Sequence, residues 1–416
     1  MNSMSHRFLI RLIGLALIPA AMQAQALPAP LTERTLRVDY IFTGTDGSSS
    51  IALDRLSCFD GWAGRRVHLD ELALRGNGQI RMHDAQTGRL LYCNSFSTLF
   101  QEWQATEEAT RVQKSFENVF LLPMPSVPVD VTVVLFDFHE NIVARLTHRV
   151  DPADILIRRI GEDPAPTRDL LRSGTAADCI DVVILPEGYT AEEMEMFYAD
   201  AAVAVESFMN HEAFRGLSDR FNFVAVELPS ADSGVSVPRR GEWKDTALGS
   251  HFDTFYSDRY LTTLHLKRMH DLLAGLPYEH IIILANTDTY GGGGIFNSYT
   301  LTTAHHAQFR PVVVHEFGHS FAGLADEYFY DDQFVEYYYP DVEPWEPNIT
   351  TKADFSRKWE AKLGQPGYGL IEGGGYQSKG VWRSSEDCRM NTNAAKDFCP
   401  VCSDAVRDMV RFYTGD

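Results

Sequence analysis

The chain has 416 residues, 44% of them hydrophobic, and a formal net charge of −20. That length allows two or three domains with their own cores, and the composition excludes fibrous and wholly disordered architectures. So acidic a balance argues against nucleic acid as a partner and against docking on an anionic membrane surface.

Residues 1–26 read as a removable signal peptide. Arg7 and Arg11 form a basic start, Leu12 to Met22 a short apolar run, and Ala24-Gln25-Ala26 a small-x-small cleavage pattern. The run is too short to span a bilayer comfortably, and nothing later in the chain has the length of a span. The expectation is a secreted or periplasmic protein with no stable membrane span after cleavage. Export makes disulfides the default use of the six cysteines, Cys58, Cys93, Cys179, Cys388, Cys399 and Cys402. Cys399-Pro-Val-Cys402 looks like half a zinc ribbon, but no second CxxC accompanies it, so a structural zinc there is the lesser reading.

Residues 27–160 read as an antiparallel β-sandwich. Leu36 to Phe42, Val129 to Phe136 and Ile142 to His148 have strand character, and Thr43-Gly-Thr-Asp-Gly47 marks a turn. No cluster of titratable groups stands out, which assigns this part a structural or accessory role. Residues 161–177, with Pro164 and Pro166, read as a linker. From 178 to 416 the pattern changes. Cys179 to Leu185 is an apolar strand, and Thr190 with Glu193 is a capping-box signature opening a helix to about Phe214. Phe221 to Leu228 is a strand, about Phe255 to Leu273 a helix, and His280 to Ala285 a buried strand. Gly291 to Gly294 then lead into strand-like Ile295 to Thr303, a candidate sheet edge where an extended peptide adds as a further strand. Strands alternating with helices predict an α/β domain, so the whole chain is expected to be a multidomain α+β protein. The stretch from Asp331 to about Asp387 reads as irregular, Asp331 and Asp332 as solvated loop acids, Asn348-Ile-Thr350 as a glycosylation sequon, and Pro400 to Tyr413 as a closing helix.

Chemistry concentrates in Val312-Val-Val-His-Glu-Phe-Gly-His-Ser-Phe-Ala-Gly-Leu-Ala-Asp-Glu-Tyr328. Pro311 suits the first turn of a helix. His315 and His319, at i and i+4, project from one face toward one point, as two ligands of a tetrahedral zinc must. Glu316 is placed to act as general base at the open position. Phe317 and Phe321, with Val313 and Val314, are expected to pack the buried side. In the common extended pattern Gly comes three residues after the second His, and the last ligand three residues after that Gly. Here Ala322 sits where Gly is expected and Gly323 follows, so the helix exit is one residue later. Three residues beyond Gly323 is Asp326, a carboxylate where histidine is usual; Glu327 is the competing third ligand.

At this point the chain resembles the IgA-peptidase family of secreted zinc metallopeptidases, a metzincin-like group with an N-terminal β-sandwich. The resemblance rests on Ile184-Leu-Pro-Glu-Gly-Tyr189, Asp232-Ser-Gly-Val-Ser-Val-Pro238, Leu284-Ala-Asn-Thr287 with Tyr290-Gly-Gly292, His315 to Tyr328, Cys388-Arg-Met390 and Phe398-Cys-Pro-Val-Cys402. It implies zinc held by His315, His319 and Asp326, Glu316 as base, and Met390 in the turn beneath the metal. It implies a protein or peptide substrate; the immunoglobulin of the family's title does not transfer with it. The expectation is therefore a zinc-dependent endopeptidase. The alternatives are an exported binding module with a structural or vestigial zinc, and a gluzincin arrangement, which the Gly break after the helix disfavours.

Overall fold

The structure is a computed structural model that describes residues 26–330 and 336–415. Most of the segment read as a signal peptide, along with Asp331 and Asp332, lies outside the described residues.

The first region is built from β1 (Leu31–Thr45), β2 (Ser48–Asp60), β3 (Gly78–Asp84), β4 (Leu90–Phe96), the short helix α1 (Leu99–Gln104), β5 (Lys114–Pro125), β6 (Val129–Phe136), β7 (Ile142–Val150) and β8 (Arg158–Arg159). They form two four-stranded sheets, ordered β5-β1-β2-β8 and β4-β3-β6-β7. Alternate residues of β1 (Leu36, Val38, Tyr40, Phe42) and of β6 (Val129, Val131, Val133, Leu135) are buried in one apolar core between them. A period of two with one face buried is the pattern of a sandwich strand.

The second region begins earlier than expected. Thr167–Leu171 (β9) lies within the anticipated linker, yet pairs antiparallel with β11 as the edge of a sheet. Its Thr-Arg-Asp-Leu-Leu sequence is too short and polar to stand out as a strand. The remaining strands are β10 (Ile180–Glu187), β11 (Phe221–Val226), β12 (His280–Ala285), β13 (Gly292–Ile295) and β14 (Tyr299–Thr303), giving a mixed six-stranded sheet ordered β13-β14-β12-β10-β11-β9. Both faces are covered, so β10 and β12 read as continuous apolar runs. Val183, Leu185, Ile281 and Ile283 face the core shared with the sandwich, whereas Val182, Ile184, Ile282 and Leu284 face the helices.

Thr190 and Glu193 form the expected capping box, with the Thr190 backbone N–H donating to Glu193 Oε2 at 2.9 Å. The helix that follows, α2 (Met194–Met209), stops short of Phe214. The helix expected over 255–273 shrinks to α3 (Leu266–Leu272). Asp253, Phe255 and Tyr256 have positive φ, which no helix accommodates, and Thr262 and Thr263 are stiff β-branched residues in loop. After α4 (Phe309–Ala322) comes β15 (Phe329–Tyr330), and the stretch read as irregular supplies its partners in a small sheet, β16 (Ile349–Thr350), β17 (Ile371–Gly374) and β18 (Tyr376–Arg383). The chain closes with α5 (Pro400–Thr414). Among the described residues no helix is long and apolar enough to cross a membrane.

The two regions are fastened together. Buried Arg37 of β1 pairs with Asp39 at 2.7 Å and reaches across to Asp271 at 2.6 Å and to the Lys267 carbonyl at 3.0 Å. Ser97 exchanges bonds with Phe296, its N–H donating at 3.1 Å and its Oγ accepting at 2.9 Å.

Candidate metal centre

Helix α4 is held by its apolar face. Phe317 and Phe321 stack at 5.0 Å, and Phe317 also packs on Phe208 of α2 at 4.9 Å. Val313 and Val314 are buried with them, leaving His315 and His319 on the opposite side. The helix ends at Gly323, whose φ of +61° is the left-handed cap that glycine adopts without strain, and the Leu324 N–H returns to the Gly318 carbonyl at 3.2 Å.

The exit brings Asp326 back to the histidines. The Nε2 atoms of His315 and His319 are 3.1 Å apart, and Asp326 Oδ1 lies 3.0 Å from the first and 3.3 Å from the second. A tetrahedral zinc with ligand distances of about 2.0–2.1 Å has edges of about 3.3 Å. The donor set fits that ion. Each ring turns Nδ1 to a backbone carbonyl, His315 to Arg389 at 2.9 Å and His319 to Leu324 at 2.5 Å, which directs the lone pair of Nε2 to the shared point. Asp326 Oδ1 is buried with no hydrogen-bond partner among the described residues, and Oδ2 accepts from the Tyr376 hydroxyl. Without a metal, burial disfavours a charged His319, but Asp326 outweighs it and raises the ring to about 9. Burial likewise acts to raise Asp326, and the two histidines overcome it and hold the carboxyl well below its ordinary range.

Glu316 is pushed up by burial, and its Oε1 would lie 2.9 Å from a Cβ placed on Gly292. A Cβ on Gly294 would sit 2.2 Å from the Glu316 carbonyl oxygen, so β13 can lie against the helix only as glycine. The open edge is shorter than the sequence implied. β14 lies inside the sheet, β13 alone is the edge, and Gly292 already forms a bridge with Tyr260.

Met390 is fully buried, and its sulfur would lie 3.1 Å from a Cβ at Gly318, beneath the two histidines. Its carbonyl accepts from the Glu327 N–H at 2.9 Å. Glu327 does not join the histidines and is not solvated. It is fully buried and faces Cys399 and Cys402. Tyr328 lines the cleft with Tyr376, their rings 5.5 Å apart.

Three expectations need correction. All six cysteines are unpaired and buried, so the disulfides predicted from export are absent, and Cys388, Cys399 and Cys402 converge without bonding. Asn348 of the sequon is fully buried: its Oδ1 accepts from the Ala325 N–H at 2.8 Å, and its Nδ2 donates to the Ala325 carbonyl at 2.9 Å and to Glu327 Oε1 at 3.0 Å. It clamps the segment that carries Asp326. The sandwich is also more than an accessory. The cleft over the centre, about 950 Å³, is walled partly by Arg75, Glu102 and Phe138. Glu102 of α1 accepts from the Tyr260 hydroxyl, and burial raises its carboxyl to about 7. No sequence signal marks Glu102; its partner is 158 positions away.

The motif stretches outside α4 act as scaffold. Glu187 at the end of β10 is buried and accepts from Thr246 Oγ1 at 2.6 Å, the Leu248 N–H at 2.8 Å and the Ser250 N–H and Oγ at 2.7 Å. Gly188 touches Gly234 and accepts from Asn286 Nδ2 at 2.9 Å, which joins the three motif stretches ahead of α4.

Comparison with known proteins agrees with this layout. No curated protein matches the chain. The sequence pattern of the IgA peptidase M64 family matches residues 169–367, and that of the peptidase M64 N-terminus matches residues 29–147. The first takes in β10 through α4 and Asp326, the second the sandwich, and Tyr376, Met390 and the three convergent cysteines lie beyond both. Spanning well over half of its length with the two halves in order, these matches place the chain in the M64 family of IgA peptidases, and hence among the peptidases.

Proposed function

We propose that this chain is a zinc-dependent endopeptidase, exported from the cytosol, in which His315, His319 and Asp326 hold the metal and Glu316 is the general base. The observation that carries this reading is the triangle of donor atoms with 3.0–3.3 Å edges, opening on a cleft beside the half-buried Glu316. When bound there, zinc supplies a Lewis acid that polarises the scissile carbonyl and makes water a better nucleophile at neutral pH.

The protein groups do the rest. Glu316, with its proton affinity raised by burial, takes a proton from the attacking water and delivers it to the departing amine nitrogen. The free part of β13, Gly293 to Ile295, lines up an extended substrate by backbone hydrogen bonds. Tyr376 and Asn348 hold Asp326 in place from two sides, one through the carboxylate and one through the backbone. Met390 closes the floor with a soft apolar side chain. Export is supported by the basic start, apolar run and Ala-x-Ala pattern of the first 26 residues.

The test is turnover of a mixed peptide library by the parent and by Glu316→Ala, with zinc content measured on both. Equal activity in the two would end this mechanism. An active-site-directed inhibitor of peptide form bound away from Gly293 to Ile295 would end the strand-addition part alone.

A further inference from the structure

One residue beyond Asp326 a second cluster forms. Glu327 turns away from the cleft into a closed space with Cys388, Cys399 and Cys402, all buried. One carboxylate oxygen and three sulfurs lie within 4.8 Å of one another. Cys402 Sγ is 3.1 Å from Glu327 Oε1 and 3.6 Å from Cys388 Sγ, and Cys399 Sγ is 4.0 Å from Glu327 Oε1. A zinc with Zn–S of about 2.3 Å sets sulfurs about 3.8 Å apart and sulfur to carboxylate oxygen about 3.5 Å. The cluster has that size.

A disulfide explains it less well. It would need sulfurs about 2.05 Å apart and would use two of the three thiols. It would also leave Glu327 as a buried carboxylate among neutral groups, its Oε2 without a hydrogen-bond partner among the described residues. An uncompensated buried charge is costly, and a divalent cation removes the cost. The surroundings also suit thiolates. Backbone N–H groups of Cys399 and Cys402 donate to Cys388 Sγ at 3.3 Å and Cys399 Sγ at 3.5 Å, and Ser384 Oγ lies 3.1 Å from Cys399 Sγ. Cys399 caps the N-terminus of α5 and Cys402 lies in its first turn, at the positive end of the helix.

We propose that Cys388, Cys399, Cys402 and Glu327 form a second zinc site, closed by four protein ligands and structural in role. It binds three distant pieces of chain into one unit behind the His–His–Asp centre. Glu327 adjoins Asp326, Cys388 is two residues from Met390, and between these two the Arg389 carbonyl orients His315. The second zinc thus fixes the backbone on which the first depends. It also answers how three adjacent thiols persist in an exported protein, since thiolates bound to zinc are withheld from oxidation.

The full-length protein, purified without chelator from zinc-supplemented medium, is analysed for zinc content and by zinc K-edge X-ray absorption. Two zinc ions per chain are expected, with a sulfur shell at about 2.3 Å. His315→Ala with His319→Ala should retain one zinc and a sulfur-dominated shell. Alkylation in denaturant with a chelator and no reductant should label Cys388, Cys399 and Cys402. A single zinc bearing the sulfur shell in the parent would sustain this site and remove zinc from the histidine centre. A shell without sulfur, or a disulfide among the three cysteines, would overturn the proposal. The zinc content, the absorption shell and the alkylation pattern are read on the parent chain, so they stand even if the histidine variant fails to fold.

Discussion

Asp326 and Glu327 are neighbours in sequence and carry the same functional group, yet they face two kinds of surroundings. Asp326 faces two imidazoles whose side chains are 12% and 16% exposed, at the bottom of a cleft large enough for a peptide. Glu327 faces three thiols in a space that water does not reach. Three protein donors leave a zinc one open position, and four leave none. What separates chemistry from scaffolding here is the number of side chains that converge and whether solvent meets them. The peptide bond between the two residues couples them, because a backbone displacement at one carries the other with it.

The largest expected effect breaks the comparison on the open side. Glu316→Ala should lower kcat/KM by roughly 10²–10⁴-fold and leave the zinc content of both sites unchanged, because it removes the base and no ligand. Loss of metal in that variant would instead make Glu316 part of the binding set. Next comes the pair of carboxylates itself. Asp326→Ala should lose the histidine-bound zinc to a mild chelator and keep the sulfur-bound one. Glu327→Ala should weaken the sulfur-bound zinc first, and a site about 100-fold weaker lowers stability by about 3 kcal/mol at saturating metal. Denaturant unfolding of the two variants, with and without zinc, separates these outcomes; identical metal loss in both would merge the sites into one.

Tyr376→Phe removes the hydroxyl that supports Asp326 and should cost roughly 10–100-fold in metal affinity at the open site alone, read by chelator competition. The smallest effect concerns Glu102. Its carboxyl is raised by burial from the ordinary 4.5 to about 7 in the folded, metal-free chain. A raised carboxyl favours the folded state at low pH, so its contribution is complete below about 4.5 and lost as pH rises through about 7. Glu102→Gln should flatten the stability of the metal-free protein across that window. An unchanged slope would mean that Glu102 keeps an ordinary acidity beside Tyr260.

The open centre was legible because its determinants are local. His315 and His319 share one helix face with Glu316 next to the first, and the spacing from Gly323 points to Asp326. β6, β12, α5 and the Thr190–Glu193 capping box were legible for the same reason. The closed centre was not. Glu327 and Cys402 are 75 positions apart, and no periodicity announces a contact at that range. Cys399 and Cys402 carried half a motif, and its missing partners were a lone cysteine and a carboxylate read as a rival ligand. The failed helix over 255–273 begins with two residues at positive φ, Phe255 and Tyr256, a backbone conformation that the residue types do not announce. β9 was hidden because an edge strand of five residues needs little hydrophobic pattern when its partner, β11, is wholly buried.

The buried sequon links this centre to the way the protein can be made. Asn348-Ile-Thr350 is a substrate for glycan transfer only while the chain is unfolded, since all three residues are inaccessible in the fold. A eukaryotic secretory host would meet the sequon at that stage, before Asn348 reaches Ala325 and Glu327. A sugar on its Nδ2 would replace one of the two hydrogens donated to Ala325 and Glu327 and place a large hydrophilic group where the fold has no room. Glycosylated chains would leave the Asp326 segment unclamped, so the yield of metal-competent protein in such a host would follow site occupancy. Thr350→Val removes the acceptor signal at the loss of one hydrogen bond, from the Lys352 N–H to Thr350 Oγ1 at 2.9 Å, and keeps Asn348 available for the clamp.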